Sequence, residues 1–495
     1  MKVPGLERLF RAAERRKWTL ALALATPGWI AVVRMLLERE LSVAPSSAPR
    51  PPFPWFAHIY VFYLALAVCL TALLARVTKQ DWKVASGPVS MGLTLGTVPP
   101  LIDVAVYGMG RFSYEYSPAV REFPWSLHLP PNVLPAGETT VLWLTIALMT
   151  LAGLRSEGSM AVRVVRGAVL AISTWALVVV FLVALPAASQ WLSLNFGVAP
   201  SEWRNTLFAV VLFAFAVWGT GTGTRLLERT LHVLLAPLIV LLGAAVRGPL
   251  ESSLALALIH FALLSAGFVL ANDFYDRAED EASGRGAPLE EESAQWLAVV
   301  ALVPVMHLLA FRIELGLCLL GFAIVSYAYH ADPLRLKCVF PLSYKTEGFL
   351  GGLSFFAGLT MTQPAFLNPT QLWAAALVTV GTPAALVFKD WKDVDGDAKA
   401  NVHTAFVVLE RRGWARLSVA RLSAGLLALS FGVVAFGVTR FIVPNVTQWV
   451  VLLVPATAGV VVLVSGTSSP KRSVFVAMAC AELALFGAAW ALLSR

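Results

Sequence analysis

The stretch Asn272-Asp273-Phe274-Tyr275-Asp276-Arg277-Ala278-Glu279-Asp280 follows an apolar run, Leu254 to Ala271, that reads as a membrane-spanning helix. If the helix continues, Asn272, Asp276 and Asp280 fall at i, i+4 and i+8, which puts three oxygen ligands on one face. Ionisable groups at the end of a membrane helix are costly, so such a cluster points to function. Hard divalent cations such as Mg²⁺ want oxygen ligands, and Mg²⁺ usually shares them with a substrate phosphate. The competing reading is a solvated acidic helix end.

A second cluster weighs against that reading. Lys389-Asp390-Trp391-Lys392-Asp393-Val394-Asp395-Gly396-Asp397 follows another apolar run, Leu372 to Phe388. Asp393 and Asp397 are again i, i+4, and Asp390 lies one turn before Asp393. Carboxylates facing one another in a low dielectric repel strongly, and bound cations remove that repulsion. Between the clusters stands Tyr329-His330-Ala331-Asp332-Pro333-Leu334-Arg335-Leu336-Lys337. Pro333 ends its helix, which sets Arg335 and Lys337 at the membrane level of the carboxylates. Cations beside a metal–carboxylate site suit a phosphate or diphosphate. Paired acidic clusters with nearby Lys or Arg, and ordinary topology signals, are the bland alternatives. His330 and His403 lie near enough to invite a general-base role, with polar loop residues as the default reading.

These clusters need helices to hold them. The chain has 495 residues, 58% hydrophobic and only 14% charged, with a mean hydropathy of +0.73. A soluble domain carries about 25% charged residues. The surplus apolar content comes in blocks of about 20 residues, each long enough to cross a bilayer. The fold class is therefore an all-α polytopic membrane protein; the alternating pattern of a β-barrel is absent. The net charge of +8 sits between apolar blocks, so it is read as a topology signal and no nucleic-acid partner is expected. Cys69, Cys318, Cys338 and Cys480 are scattered without a CxxC pair, which suggests neither zinc nor a disulfide framework.

Two modules are expected, 1–224 and 225–495. The first has about six spans, near 18–37, 55–75, 86–107, 139–154, 167–190 and 206–223. The second has nine, near 231–247, 252–271, 294–311, 313–330, 343–361, 371–388, 417–439, 445–466 and 473–494. Pro27 and Arg34 interrupt the first run, which reads as a retained span or an interfacial segment rather than a cleaved signal. An aromatic, Pro-rich loop at 108–138, with Tyr114, Tyr116 and Trp125, is expected at the membrane interface. Arg277, Arg285, Arg335, Lys337, Lys389, Lys392, Lys399, Arg411, Arg412, Lys471 and Arg472 fall on one side, and few basic residues fall on the other. The positive-inside rule makes that side, and the N-terminus, cytoplasmic, with the cell (inner) membrane as the expected location.

With the three segments in view, the region from about 225 to 495 resembles the UbiA superfamily of intramembrane prenyltransferases. Asn272, Asp273, Asp276 and Asp280 match its NDxxDxxxD motif. Tyr329, Pro333, Arg335, Leu336 and Lys337 are similar to its YxxxPxRLK motif. Asp390, Asp393, Gly396 and Asp397, followed by Thr404, resemble the KDxxDxxGD…T form of the homogentisate prenyltransferase, chlorophyll synthase and geranylgeranylglyceryl phosphate prenyltransferase branches. The resemblance implies a nine-helix bundle, here preceded by about six further transmembrane helices. It implies Mg²⁺ held by Asn272, Asp276, Asp280, Asp393 and Asp397, with Asp276 and Asp393 central to catalysis. Arg335 and Lys337 would bind the diphosphate, and Asp273, Asp390, Tyr329 and Arg285 are additional candidates. The implied activity is transfer of an isoprenyl group from an isoprenyl diphosphate to an aromatic or other lipid-precursor acceptor, with release of diphosphate. The alternatives are a non-catalytic prenyl-lipid or quinone binding or transport protein, and phosphoribosyl-type transfer to a polyprenyl phosphate.

The chain departs from the family pattern in places. Ala287-Pro288-Leu289 lacks an Arg before the Pro, which Arg285 could replace, and Glu290-Glu291-Glu292 follows. Asn401 stands where the family often has Gly, and His403 is unusual. Residues 1–224 carry no phosphatase or nucleotide-binding motif; they could act on the same lipid, bind a partner or stabilise the protein.

Overall fold

A computed structural model describes residues 20–41, 52–111, 135–248, 253–277, 289–361, 367–440, 444–465 and 469–494. The described residues contain helices and no β-strand. They divide into two compact units, Met1–Gly223 and Thr224–Arg495. Among the described residues, thirteen helices are long and apolar enough to cross a membrane.

In the N-terminal unit helices form at the six expected spans, and all but the first are among the thirteen: α1 (Leu20–Leu41), α2 (Pro52–Thr78), α3 (Trp82–Leu93) running through a 3₁₀ turn into α4 (Pro99–Tyr107), α5 (Ala136–Arg155), α6 (Met160–Val179) continuing through a π turn into α7 (Leu185–Phe196), and α8 (Pro200–Thr220). α2 packs on α1, α3 and α8. The Arg34 that interrupts the first apolar run is buried and ion-paired, 2.6 Å from Glu38 and 2.8 Å from Glu138. Asp103, beyond Pro99-Pro100, is also buried, and its carboxylate accepts a 2.7 Å hydrogen bond from the Gly137 N–H at the start of α5. That bond satisfies one of the donors a helix N-terminus leaves open. Most of the 108–138 loop, including Tyr114, Tyr116 and Trp125, lies outside the described residues.

The C-terminal unit contains α9 (Thr230–Arg247), α10 (Leu254–Tyr275), α11 (Glu291–Phe311), α12 (Ile313–His330), α13 (Leu342–Thr360), α14 (Pro369–Leu386), the short α15 (Val394–Lys399) and α16 (Ala405–Arg411), then α17 (Arg416–Thr439), α18 (Val446–Ser465) and α19 (Pro470–Leu493). Each long helix packs on the next, α19 returns to α9, and α9 also crosses α13. Small residues allow that crossing. A Cβ on Gly243 would overlap the Phe355 carbonyl, and one on Gly358 the Val240 carbonyl. Close backbone approach of this kind drives helix association where lipid removes the hydrophobic incentive.

α13 forms where a span is expected but is less apolar than its neighbours. The reason is a stripe, Ser343, Glu347, Gly351 and Ser354, that lines a cavity instead of lipid. The spacing is that of one helix face.

Candidate active site

That cavity has a volume of about 290 Å³. Asn272 and Asp276 line it from α10, Lys337 from the segment after α12, and Asp393 and Asp397 from the segment after α14. All three sequence segments therefore line one cavity, although about 120 residues separate the acidic clusters.

The first cluster is only partly helical. α10 ends at Tyr275, and Asp276 caps it, its N–H donating to the Asn272 carbonyl at 2.8 Å. The i, i+4 step from Asn272 to Asp276 is thus present, with the Asn272 amide donating to Asp276 Oδ2. A further helical step to Asp280 is not part of α10, and Asp280 lies outside the described residues, as does Arg285. Asp273 is one residue on, about 100° around the helix, and is not on the cavity wall. It is buried and pairs with Arg229 at 3.0 Å and Arg225 at 3.6 Å. Arg229 does line the cavity.

The two basic residues after Pro333 part company. Arg335 adopts a left-handed conformation, φ 35°, and donates a 2.8 Å hydrogen bond to the Tyr275 carbonyl. It ties down the C-terminal end of α10 and is not among the residues lining the cavity. Lys337, in the 3₁₀ turn Leu336–Cys338, forms an ion pair with Asp276. Burial pushes the Lys337 ammonium down to about 8, against the opposing pull of Cys338 and Asp397. An incoming anion would favour its charged form.

The second cluster sits on a 3₁₀ stretch, Val387–Asp393, that passes into α15. Such a stretch is long for 3₁₀ geometry, and a 3₁₀ interruption of a helix often marks a functional segment. It brings Lys389, Asp390, Lys392 and Asp393 to the wall, and α15 adds Asp397. Asp395 points elsewhere and is paired with Arg416 at 2.7 Å.

Two side chains outside the sequence motifs, Glu347 and Tyr344, hold this segment together with Tyr329, Lys389 and Asp390. The Lys389 ammonium lies 2.8 Å from Glu347 and 2.9 Å from Asp390. Tyr329 donates to Glu347 Oε1 at 2.6 Å. Tyr344 donates to Asp390 at 2.6 Å and accepts from the Ala405 N–H at 3.0 Å. The chain Tyr329–Glu347–Lys389–Asp390–Tyr344 thus binds α12, α13 and the 3₁₀ stretch to the start of α16. Its signal in the sequence is the polar stripe of α13, which stands out only once the other wall is known.

His330 lines the cavity. His403 does not; its N–H donates to the Cys338 carbonyl at 3.3 Å. Asn401 has φ 59°, the left-handed region that glycine enters freely and asparagine better than other side chains. This accounts for Asn at a position where the family resemblance leads to an expectation of Gly.

The residues fit a hard divalent cation bound together with a phosphate. Asn272 Oδ1 is buried with no hydrogen-bond partner among the described residues, and the carboxylates of Asp276, Asp393 and Asp397 share its cavity. Among the described residues, no three His, Cys, Asp or Glu are gathered tightly enough to hold an ion alone. Mg²⁺ typically takes one or two carboxylates and completes its shell with water and substrate phosphate.

A second cavity of about 240 Å³ shares Leu235, Ile239, Thr382 and Leu386 with the first. Its other walls, from α9, α13, α14, α17 and α19, are almost wholly apolar. Gly381 and Gly437 line it, and a Cβ on either would meet open space.

The sequence model of the UbiA prenyltransferase family matches residues 233–479. No curated protein matches the chain. Among solved structures, a UbiA homolog from Archaeoglobus fulgidus bound to GPP and Mg²⁺ is similar, at 17% identity and a TM-score of 0.39, covering 55% of this chain and 98% of that one. The same homolog bound to DMAPP and Mg²⁺ gives 16% identity and a TM-score of 0.37, covering 54% and 97%.

Proposed function

The C-terminal part of the chain belongs to the UbiA prenyltransferase family and is a multi-pass, all-helical membrane enzyme of that class; from that premise we propose that it transfers an isoprenyl group from an isoprenyl diphosphate to an aromatic or lipid-precursor acceptor, with Mg²⁺ as cofactor. The observation that carries this reading is the meeting of Asn272, Asp276, Lys337, Asp393 and Asp397 in one cavity that adjoins an apolar one.

Asn272, Asp276, Asp393 and Asp397 would hold Mg²⁺, joined by Asp280 from the segment beyond α10. When bound, Mg²⁺ stabilises negative charge developing on the departing diphosphate. Lys337 contributes a positive charge beside the same group, and Arg229, Lys389 and Lys392 line the cavity as further cations. Arg335 acts through its hold on the end of α10, which sets where Asn272 and Asp276 stand. Asp273 does the same for Arg229. Asp390 and Tyr329 belong to the network that fixes the second acidic segment. As the allylic C–O bond breaks, its electron pair leaves with diphosphate, an electron-rich acceptor forms the new bond to that carbon, and the proton the acceptor then sheds passes to the departing diphosphate or to water. The apolar cavity receives the isoprenyl tail and keeps water from the reacting carbon. The basic end of the bundle, with this site, faces the cytoplasm by the charge of its loops.

The test is diphosphate release by the full-length protein in lipid nanodiscs, with geranyl, farnesyl and geranylgeranyl diphosphate and pooled membrane-extract acceptors. Mg²⁺-dependent release with a prenylated product supports the reading. Donor binding without release across those acceptors would favour a binding or transport protein.

A further inference from the structure

Glu347 is a buried carboxylate for which neither the cation nor the diphosphate has a use. It is 8% exposed and lines the cavity from α13. One oxygen, Oε1, is engaged by the Tyr329 hydroxyl at 2.6 Å and the Lys389 ammonium at 2.8 Å. The other, Oε2, is buried and has no hydrogen-bond partner among the described residues. A buried carboxylate oxygen left without a donor is destabilising, and native proteins rarely tolerate one without cause.

Three species enter this cavity if the prenyltransferase reading holds, and this inference rests on that reading. A second cation is poorly placed at Glu347, because the Lys389 ammonium already lies against the same carboxylate. The diphosphate is repelled by it. The acceptor remains. A carboxylate oxygen can only accept hydrogen bonds, so its ligand must bring a donor. It would also repel a second carboxylate brought to the same place.

We infer that Glu347 Oε2 binds the acceptor by accepting a hydrogen bond from its hydroxyl, and that the acceptor is accordingly a neutral phenol or alcohol with no carboxylate beside that hydroxyl. Tyr329 and Lys389 orient Glu347 by holding its other oxygen. Glu347 touches substrate but takes no proton in this account; it sets which acceptor is seated against the allylic carbon. Ser343, one turn earlier on the same face of α13, also lines the cavity with its hydroxyl buried and without a hydrogen-bond partner among the described residues, which leaves room for a polar head on this wall.

The test uses full-length protein in nanodiscs with geranylgeranyl diphosphate and Mg²⁺. Two pairs of acceptor probes differ only by a carboxylate: 2-naphthol against 3-hydroxy-2-naphthoate, and hydroquinone against 2,5-dihydroxybenzoate. Wild type should prenylate the neutral member of each pair preferentially. Glu347→Gln should lower kcat/KM for the neutral member by about tenfold or more and narrow or reverse the preference. Its KM for the donor should stay within about twofold of wild type. Glu347→Asp, which keeps the charge, should retain the preference for the neutral member. Preference of wild type for the carboxylate members overturns the inference. So does an equal loss on both members in Glu347→Gln, as expected of a purely structural role. Failure of a donor-binding wild type to prenylate either pair also overturns it. Failure of wild type to bind the donor at all would strike the prenyltransferase reading first, and this inference with it.

Discussion

Lys337 forms an ion pair with Asp276, joining the basic segment after α12 to the cap of α10. Two residues 61 positions apart by number thereby come to one point of the cavity. The pair is also the arrangement that a metal–diphosphate complex would change. Asp276 would turn to the cation, and Lys337 to the phosphate oxygens.

Metal and donor should therefore bind as a unit. Described carboxylates that are not tightly gathered make a weak site for Mg²⁺ alone. Protein stripped with EDTA should bind radiolabelled geranylgeranyl diphosphate at least about tenfold more weakly than protein in Mg²⁺. Equilibrium binding in nanodiscs measures this, and equal affinity in both conditions would count against a shared site.

Tyr344 is expected to be a stability residue. Tyr344→Phe removes the partner of a buried Asp390 oxygen and of the Ala405 N–H at once. A loss of about 1–3 kcal/mol follows from leaving buried polar groups unpaired. Thermal unfolding in lipid should show a lower midpoint, and an unchanged midpoint would mean that water replaces the hydroxyl without cost.

Glycines should divide into two classes. Gly358→Val forces α9 and α13 apart, because even a Cβ at that position overlaps backbone. Overpacking of this kind costs about 1–3 kcal/mol or more, read as reduced folded yield. Gly437→Leu instead projects into the apolar cavity. It should fold normally and shift donor preference from geranylgeranyl toward geranyl diphosphate, measured by competition between the two. Unchanged competition would place the tail elsewhere.

The helices were legible because blocks of apolar residues report membrane spans directly, and each expected span coincides with a described helix. The two acidic clusters were legible because Asn272 with Asp276, and Asp393 with Asp397, repeat one spacing. What spacing alone does not give is where a side chain turns after the helix stops. α10 ends at Tyr275 with Asp276 as its cap, so the i, i+4 step from Asn272 runs to a helix end, and Asp280 lies outside the described residues. Arg335 and Lys337 look equivalent in sequence, yet a left-handed residue at 335 separates their directions. Glu347 lies inside the span expected near 343–361, where spacing alone does not set it apart. Its meaning depends on Lys389 and Tyr329, which are far from it in sequence and reach it only through packing.

The most direct test of the account is diphosphate release by Asp276→Asn and Asp393→Asn beside wild type, in nanodiscs with geranylgeranyl diphosphate and Mg²⁺. Each substitution keeps the shape of the side chain and removes a charge from a different acidic cluster. Both variants should remain folded and lose release by on the order of 10²–10³-fold. Wild-type rates of release in either variant would contradict a site built from both clusters.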